Sequence, residues 1–194
     1  MSNIDQIKQL REETGASPAD IKKALEQSGD DLQKAKDLLR TWGKKVSAKK
    51  ADREAKSGLI DAYVHQNSKT GVLLDIRCET DFVAKNPEFK ELAHEICLQI
   101  AAMNPLYVSE DGIPKNVLEE QLENYKKETA SSKKPENIVE QIVDGKLKKY
   151  KEQVCLFSQP WIKDDSKTIK DLVENAIAKI GEKIEVKSFS RFAI

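Results

Sequence analysis

Over the first forty positions apolar residues recur every three or four places, which predicts three short amphipathic helices. Ile4, Ile7 and Leu10 form the first stripe, ending near Gly15. Ser17-Pro18-Ala19-Asp20 then supplies an N-cap, a first-turn proline and an acid three residues on; the second helix buries Ile21, Ala24 and Leu25 and stops at Gly29. Asp30 or Asp31 caps the third, whose Leu32, Ala35, Leu38, Leu39 and Trp42 face inward before Gly43. A three-helix bundle over 1–43 is expected. Lys44 to Lys56 carries six basic and two acidic residues among Ala and Ser without an apolar stripe, so 44–57 reads as a solvated basic linker.

The period then changes to two. Ile60, Ala62 and Val64 alternate with Asp61, Tyr63 and His65, a turn follows at Asn67 to Gly71, and Val72, Leu74, Ile76 and Cys78 alternate with Asp75 and Arg77. A third strand is expected at Ile184 to Phe192, with a bulge or change of burial where the apolar phase shifts between Val186 and Phe189. Asn86 and Pro87 open a helix with Phe89, Leu92, Ala93, Ile96, Cys97, Ile100 and Ala101 on one face; Thr168 with Asp171 opens another that ends at Gly181. Between them, 113–154 reads as a helical excursion in two pieces, with Leu118, Leu122 and Tyr125 in one and Ile138, Ile142, Val143, Leu147 and Tyr150 in the next. Ser131-Ser132-Lys133-Lys134-Pro135 separates them. The expected fold class is α+β: an amino-terminal three-helix bundle, then a 58–194 core with a small three-stranded antiparallel sheet covered by helices.

Between the second strand and the Pro87 helix lies Thr80-Asp81-Phe82-Val83-Ala84-Lys85-Asn86, and Phe82 belongs to neither periodic set. Two readings compete: Phe82 plugs the corner between sheet and helix, or the two elements present it as part of a recognition loop.

Composition narrows the function. The 33 Lys and Arg balance 33 Asp and Glu, which argues against a general or specific nucleic-acid binder. No apolar run approaches a membrane span and the start lacks a signal-peptide pattern, so a cytoplasmic protein without membrane contact is expected. Cys78, Cys97 and Cys155 are far apart, make no zinc-type pairs, and read as reduced core residues. His65 and His94 sit in no metal or nucleophile spacing, and no Gly-rich phosphate loop is present. Neither a cofactor nor enzyme chemistry is expected; the function should lie in a surface.

Several segments resemble the elongation factor Ts family: Arg11-Glu12-Glu13-Thr14-Gly15 with Asp20-Ile21-Lys22-Lys23-Ala24-Leu25, then Tyr63-Val64-His65, Gly71-Val72-Leu73-Leu74 and Cys78-Glu79. Thr80-Asp81-Phe82-Val83-Ala84-Lys85-Asn86, Cys155-Leu156-Phe157-Ser158-Gln159-Pro160, Lys179-Ile180-Gly181-Glu182, Phe189 and Arg191-Phe192 continue the likeness in family order. The resemblance implies a ubiquitin-associated-like fold for the bundle and a guanine nucleotide exchange activity toward elongation factor Tu. It implies that Asp81 and Phe82 insert beside the partner's switch region, supported by Thr80 and Val83. Asp20, Lys22 and Lys23 on the bundle, and His65, complete the expected contact set. Pro18 and Ala19 stand where many members have two methionines, and Ser188 where a basic residue is common. Longer members carry a second sheet half; with one half only, a two-fold homodimer is expected to cover the exposed sheet. Two further readings remain open, an adaptor built on the bundle without exchange activity and an RNA-associated factor using the basic linker.

Overall fold

The amino-terminal caps form where the sequence places them. In the computed structural model, which describes residues 3–130 and 135–194, the first elements are α1 (Asn3–Thr14), α2 (Pro18–Ser28) and α3 (Leu32–Lys50). The Ser17 hydroxyl accepts the Asp20 N–H at 3.1 Å and donates to the Asp20 carboxylate at 2.7 Å, so two polar groups at the start of α2 satisfy each other. Asp31, rather than Asp30, caps α3, accepting the N–H groups of Gln33 and Lys34. Leu10, Ile21, Ala24, Leu25, Ala35 and Leu39 form the buried centre, with Ile7, Leu32, Leu38 and Trp42 packed around it.

The expected stop at Gly43 does not occur. α3 runs on to Lys50, through the first half of the segment read as linker. Gly43 lies inside the helix and is buried; a β-carbon there would make ordinary van der Waals contact with that of Ala178, 3.6 Å away. Lys44 and Lys50 of that run, with Arg40 before it, are anchored to the chain. Arg40 and Lys44 both pair with the buried Asp171 carboxylate, at 2.5 and 3.2 Å, and the Lys50 ammonium donates to the Gly181 carbonyl.

Next come β1 (Ser57–Val64), β2 (Thr70–Cys78), α4 (Asp81–Lys85), α5 (Pro87–Met103), α6 (Lys115–Ala130) and α7 (Glu136–Val154). The chain continues with β3 (Pro160–Trp161), β4 (Asp164–Thr168), α8 (Ile169–Ile180) and β5 (Ile184–Ala193). The antiparallel sheet has the order β1-β2-β5, as an α+β reading requires. Ser131-Ser132-Lys133-Lys134, read as the break between two helices, lies outside the described residues.

Val72, Leu74, Ile76 and Cys78 of β2 are buried, as alternation predicts, and so are Phe89, Leu92, Ala93, Ile96, Cys97 and Ile100 of α5. In β1 the phase is inverted: Ile60 and Val64 are exposed, while Leu59, Asp61 and Tyr63 are half-buried. The Tyr63 hydroxyl lies 2.8 Å from the His65 ring, and the Asp61 carboxylate 3.8 Å from that of His94. In β5 the phase slips where expected: Val186 is buried, Lys187 and Ser188 are both exposed, and Phe189 turns back toward the interior.

By proximity the residues fall into two compact units. One comprises the described part of Met1–Asp61 with Asp75–His94 and Asp171–Lys187; the other comprises Ala62–Leu74, Glu95–Lys170 and Ser188–Ile194. The bundle shares the first unit with most of α8. In the second unit α6 and α7 form an antiparallel pair whose base is Ile113, Val154 and Cys155, with Lys146 bridging to Glu128 and lying over the Tyr125 ring. The β3–β4 hairpin was not legible, being two residues of strand against a polar one. Its fixing point is the buried Gln99 amide, which donates to the Gln159 side chain and the Pro160 carbonyl and accepts the Ile162 N–H.

Candidate functional site

Thr80 ends β2's extension with an extended backbone, and its hydroxyl oxygen accepts the Val83 N–H at 3.4 Å. That cap, with Asp81 in the first turn, makes the segment a five-residue helix, α4, and not the expected loop. Asn86 closes it by donating its N–H to the Val83 carbonyl, and the Asn86 side chain accepts the Glu88 N–H to open α5 at Pro87. The sequence therefore bounds the short helix by caps at both ends.

Phe82 projects from this helix 81% exposed. The corner-plug reading is thereby corrected: the ring is not buried between sheet and helix. Val83 and Ala84 are half-buried beneath it. Asp81 points outward and forms an ion pair with Lys85 at 2.8 Å. The hydrogen bond from Lys85, its charge, and the first N–H groups of α4 hold the Asp81 carboxyl below its ordinary range. An apolar ring beside an ionised carboxylate is thus presented on a capped, short helix.

Beneath α4 sits a set of carboxylates. Glu182 accepts the N–H groups of Glu79 and Thr80 and the Thr80 hydroxyl, at 3.1, 3.0 and 2.7 Å. Glu79 accepts the Lys183 N–H at 2.7 Å and faces Arg53 at 3.3 Å. The Lys183 hydrogen bond, then the Arg53 charge, holds the Glu79 carboxyl below its usual value. A lowered folded value means that the stability it contributes is present above the unfolded value, about 4.3, and disappears as the pH falls through the folded one. Urea titrations from pH 7 downward should therefore show the intact protein losing more stability than Glu79→Gln once the pH drops below about 5. Parallel pH curves for the two proteins would contradict the assignment.

The other expected contact residues lie elsewhere. Asp20, Lys22 and Lys23 are exposed on α2; the Asp20 carboxylate is engaged in the Ser17 cap and the Lys23 ammonium lies 5.5 Å from the Trp42 ring centre. His65 is exposed at the β1–β2 turn, in the other compact unit, where its N–H bonds to the Thr70 carbonyl. Thr80, Asp81, Phe82 and Val83 are the ones brought together. Glu79, Glu182 and Lys85 were not in the expected set. Lys85 stands four residues after Asp81, a spacing that signals an ion pair; Glu182 carries no local signal, since its partners are about a hundred positions away.

Two observations bear on the competing functions. Cys78 and Cys155 are buried free thiols, and burial pushes both up to about 11, the opposite of an activated thiolate. Four of the linker cations, Lys44, Lys50, Arg53 and Lys56, are engaged with partners of the chain itself, which weakens the RNA reading. Among the described residues no helix is long and apolar enough to cross a membrane.

These features define an α+β protein with an exposed aromatic on a short helix whose root is held by the Glu182 carboxylate. The family model described as Elongation factor TS matches residues 4–194. Proteins named Elongation factor Ts from Thermotoga petrophila and Thermotoga maritima are 53% and 51% identical over 192 residues, covering 99% of this chain and 96% of each relative. The chain belongs to the elongation factor Ts family, and its role is in translation elongation.

Proposed function

We propose that this chain is a guanine nucleotide exchange factor for elongation factor Tu, with Phe82 as the wedge. The observation that carries the reading is the 81% exposure of a large aromatic on a helix capped at both ends, in a chain of this family. A large apolar side chain kept in water on a rigid mount is a ready anchor for a partner's pocket.

Exchange needs a differential affinity. The GDP-bound partner holds its nucleotide through backbone amides, a lysine and a magnesium ion, so the factor must bind the distorted, nucleotide-poor form better than the loaded one. Phe82 supplies apolar contact available only once the switch region has moved. Asp81 supplies charge beside the displaced elements, after exchanging Lys85 for a partner group. Thr80 and Val83 fix the helix, and Asp20, Lys22, Lys23 and His65 form the outer contacts. The 1–43 bundle docks on the nucleotide-binding domain, and the 58–194 core carries the wedge. Calorimetric titration should give much tighter binding to nucleotide-free than to GDP-loaded elongation factor Tu. Equal affinities, with no change on removing GDP, would favour the adaptor reading.

The second element of the proposal is a two-fold homodimer. Val64, Leu73 and Phe192 are 68%, 48% and 69% exposed in the second unit, an apolar set that a second copy of the same sheet would cover. Sedimentation equilibrium at micromolar concentration should report twice the 21.9 kDa chain mass, and Leu73→Asp should return the monomer. A monomer for the unsubstituted chain would contradict it.

A further inference from the structure

Gly181 ends α8 in the left-handed region, φ 86°, and the residue after it, Glu182, is the one whose carboxylate reaches the root of α4. We infer that Glu182 is a positioning residue for Phe82, acting through Thr80; the inference rests on the exchange reading and deepens it.

A threonine hydroxyl has a single proton. At 2.7 Å that proton is given to Glu182 Oε1, which turns the oxygen lone pairs of Thr80 toward the Val83 N–H, the cap of α4. Glu182 Oε2 meanwhile accepts the N–H groups of Glu79 and Thr80, fixing the backbone from which α4 departs. One carboxylate thus sets both the direction of the chain entering α4 and the rotamer of its capping residue. Phe82 lies two residues beyond. Glu79 returns the contact by accepting the Lys183 N–H, while the Lys183 ammonium donates to the Arg53 carbonyl at 2.8 Å, so the segments at 79–80 and 182–183 hold each other.

Only an acceptor on both oxygens satisfies this arrangement. In Glu182→Gln one oxygen becomes an NH₂ donor. Placed at the Oε2 position it faces two N–H donors; placed at the Oε1 position it donates to the Thr80 hydroxyl, whose proton must then turn elsewhere and compete with the cap. Either orientation loosens the mount. A wedge must arrive preformed, because ordering it during the encounter subtracts from the binding that drives exchange.

The test is stopped-flow release of fluorescent GDP from elongation factor Tu across a range of factor concentrations, with the full chain intact, as Glu182→Gln, as Phe82→Ala, and with both changes. The limiting release rate should fall about tenfold in Glu182→Gln, the order expected for a lost charge-assisted hydrogen bond. In the Phe82→Ala background the same change should alter the residual rate less than about twofold, since a residue acting through Phe82 has nothing left to position. A merely structural residue would lower both backgrounds by the same factor, and that result, or a Glu182→Gln protein as fast as the intact one, overturns the inference. Thr80→Val, which removes the same proton and the same cap, provides the second route if Glu182→Gln does not fold; it should show the same dependence on Phe82, while Thr80→Ser, which keeps the hydroxyl, should recover most of the rate lost in Thr80→Val. An intact protein that leaves GDP release unchanged would refute the exchange reading itself, and this inference with it.

Discussion

Phe82→Ala should leave the fold standing and remove most of the acceleration of GDP release from elongation factor Tu. The ring is 81% exposed, so its removal opens no cavity in the chain. Its loss falls on the complex alone, where truncating an aromatic anchor commonly costs roughly 2–4 kcal/mol, or about 30- to 1,000-fold in rate or affinity. Most of that should appear in the release rate at saturating factor, because the contact forms only with the displaced switch region. Unchanged thermal melting beside a collapsed release rate is the expected pair of readings. An equal release rate for variant and intact protein would move the wedge elsewhere.

Phe89→Ala, seven positions on, should do the reverse. Phe89 is fully buried, at the start of α5. Replacing it leaves a cavity and forfeits the transfer energy of the ring, together about 3–5 kcal/mol. For a chain of this size that lowers the melting midpoint by roughly 6–20 °C. At a temperature where the variant stays folded, its release rate should match the intact protein, since Phe82 still emerges from a capped α4. A melting midpoint within a degree or two of the intact protein would mean that Phe89 is not part of the core. The two aromatics belong to one stretch of sequence and are separated by burial into an exposed ring and a core residue.

That separation was partly legible. The stripe at spacings of three and four claimed Phe89, which is buried, and left Phe82 unclaimed, which is exposed. It could not decide between a plugged corner and a presented ring, because burial of one residue at a junction depends on packing that no local pattern encodes. Caps were the best-read features: Ser17, Asp31 and Asn86 act within three residues, and the sequence holds both donor and acceptor. Contacts distant in sequence were the worst. Gly43 looked like a helix stop because a glycine before a basic run has that local meaning; burial in the middle of α3, facing Ala178 135 positions away, carries the helix through it. The cations after it looked solvated for the same reason, until Asp171 and Gly181 were placed beside them. Glu182 was visible only as part of a family-like segment, Lys179-Ile180-Gly181-Glu182, and its chemistry appears once Thr80 is brought to it.

Turnover separates an exchange factor from a stoichiometric binder: trace amounts of this chain are added to elongation factor Tu loaded with fluorescent GDP, in excess unlabelled GDP, and fluorescence is followed in time. An exchange factor is released after each event, so the whole signal should decay at a rate proportional to the trace added, and Phe82→Ala at the same concentration should approach the spontaneous rate. A decay that stays at the spontaneous rate with the intact protein, or one that stops after an amount of GDP equal to the protein added, would contradict the account.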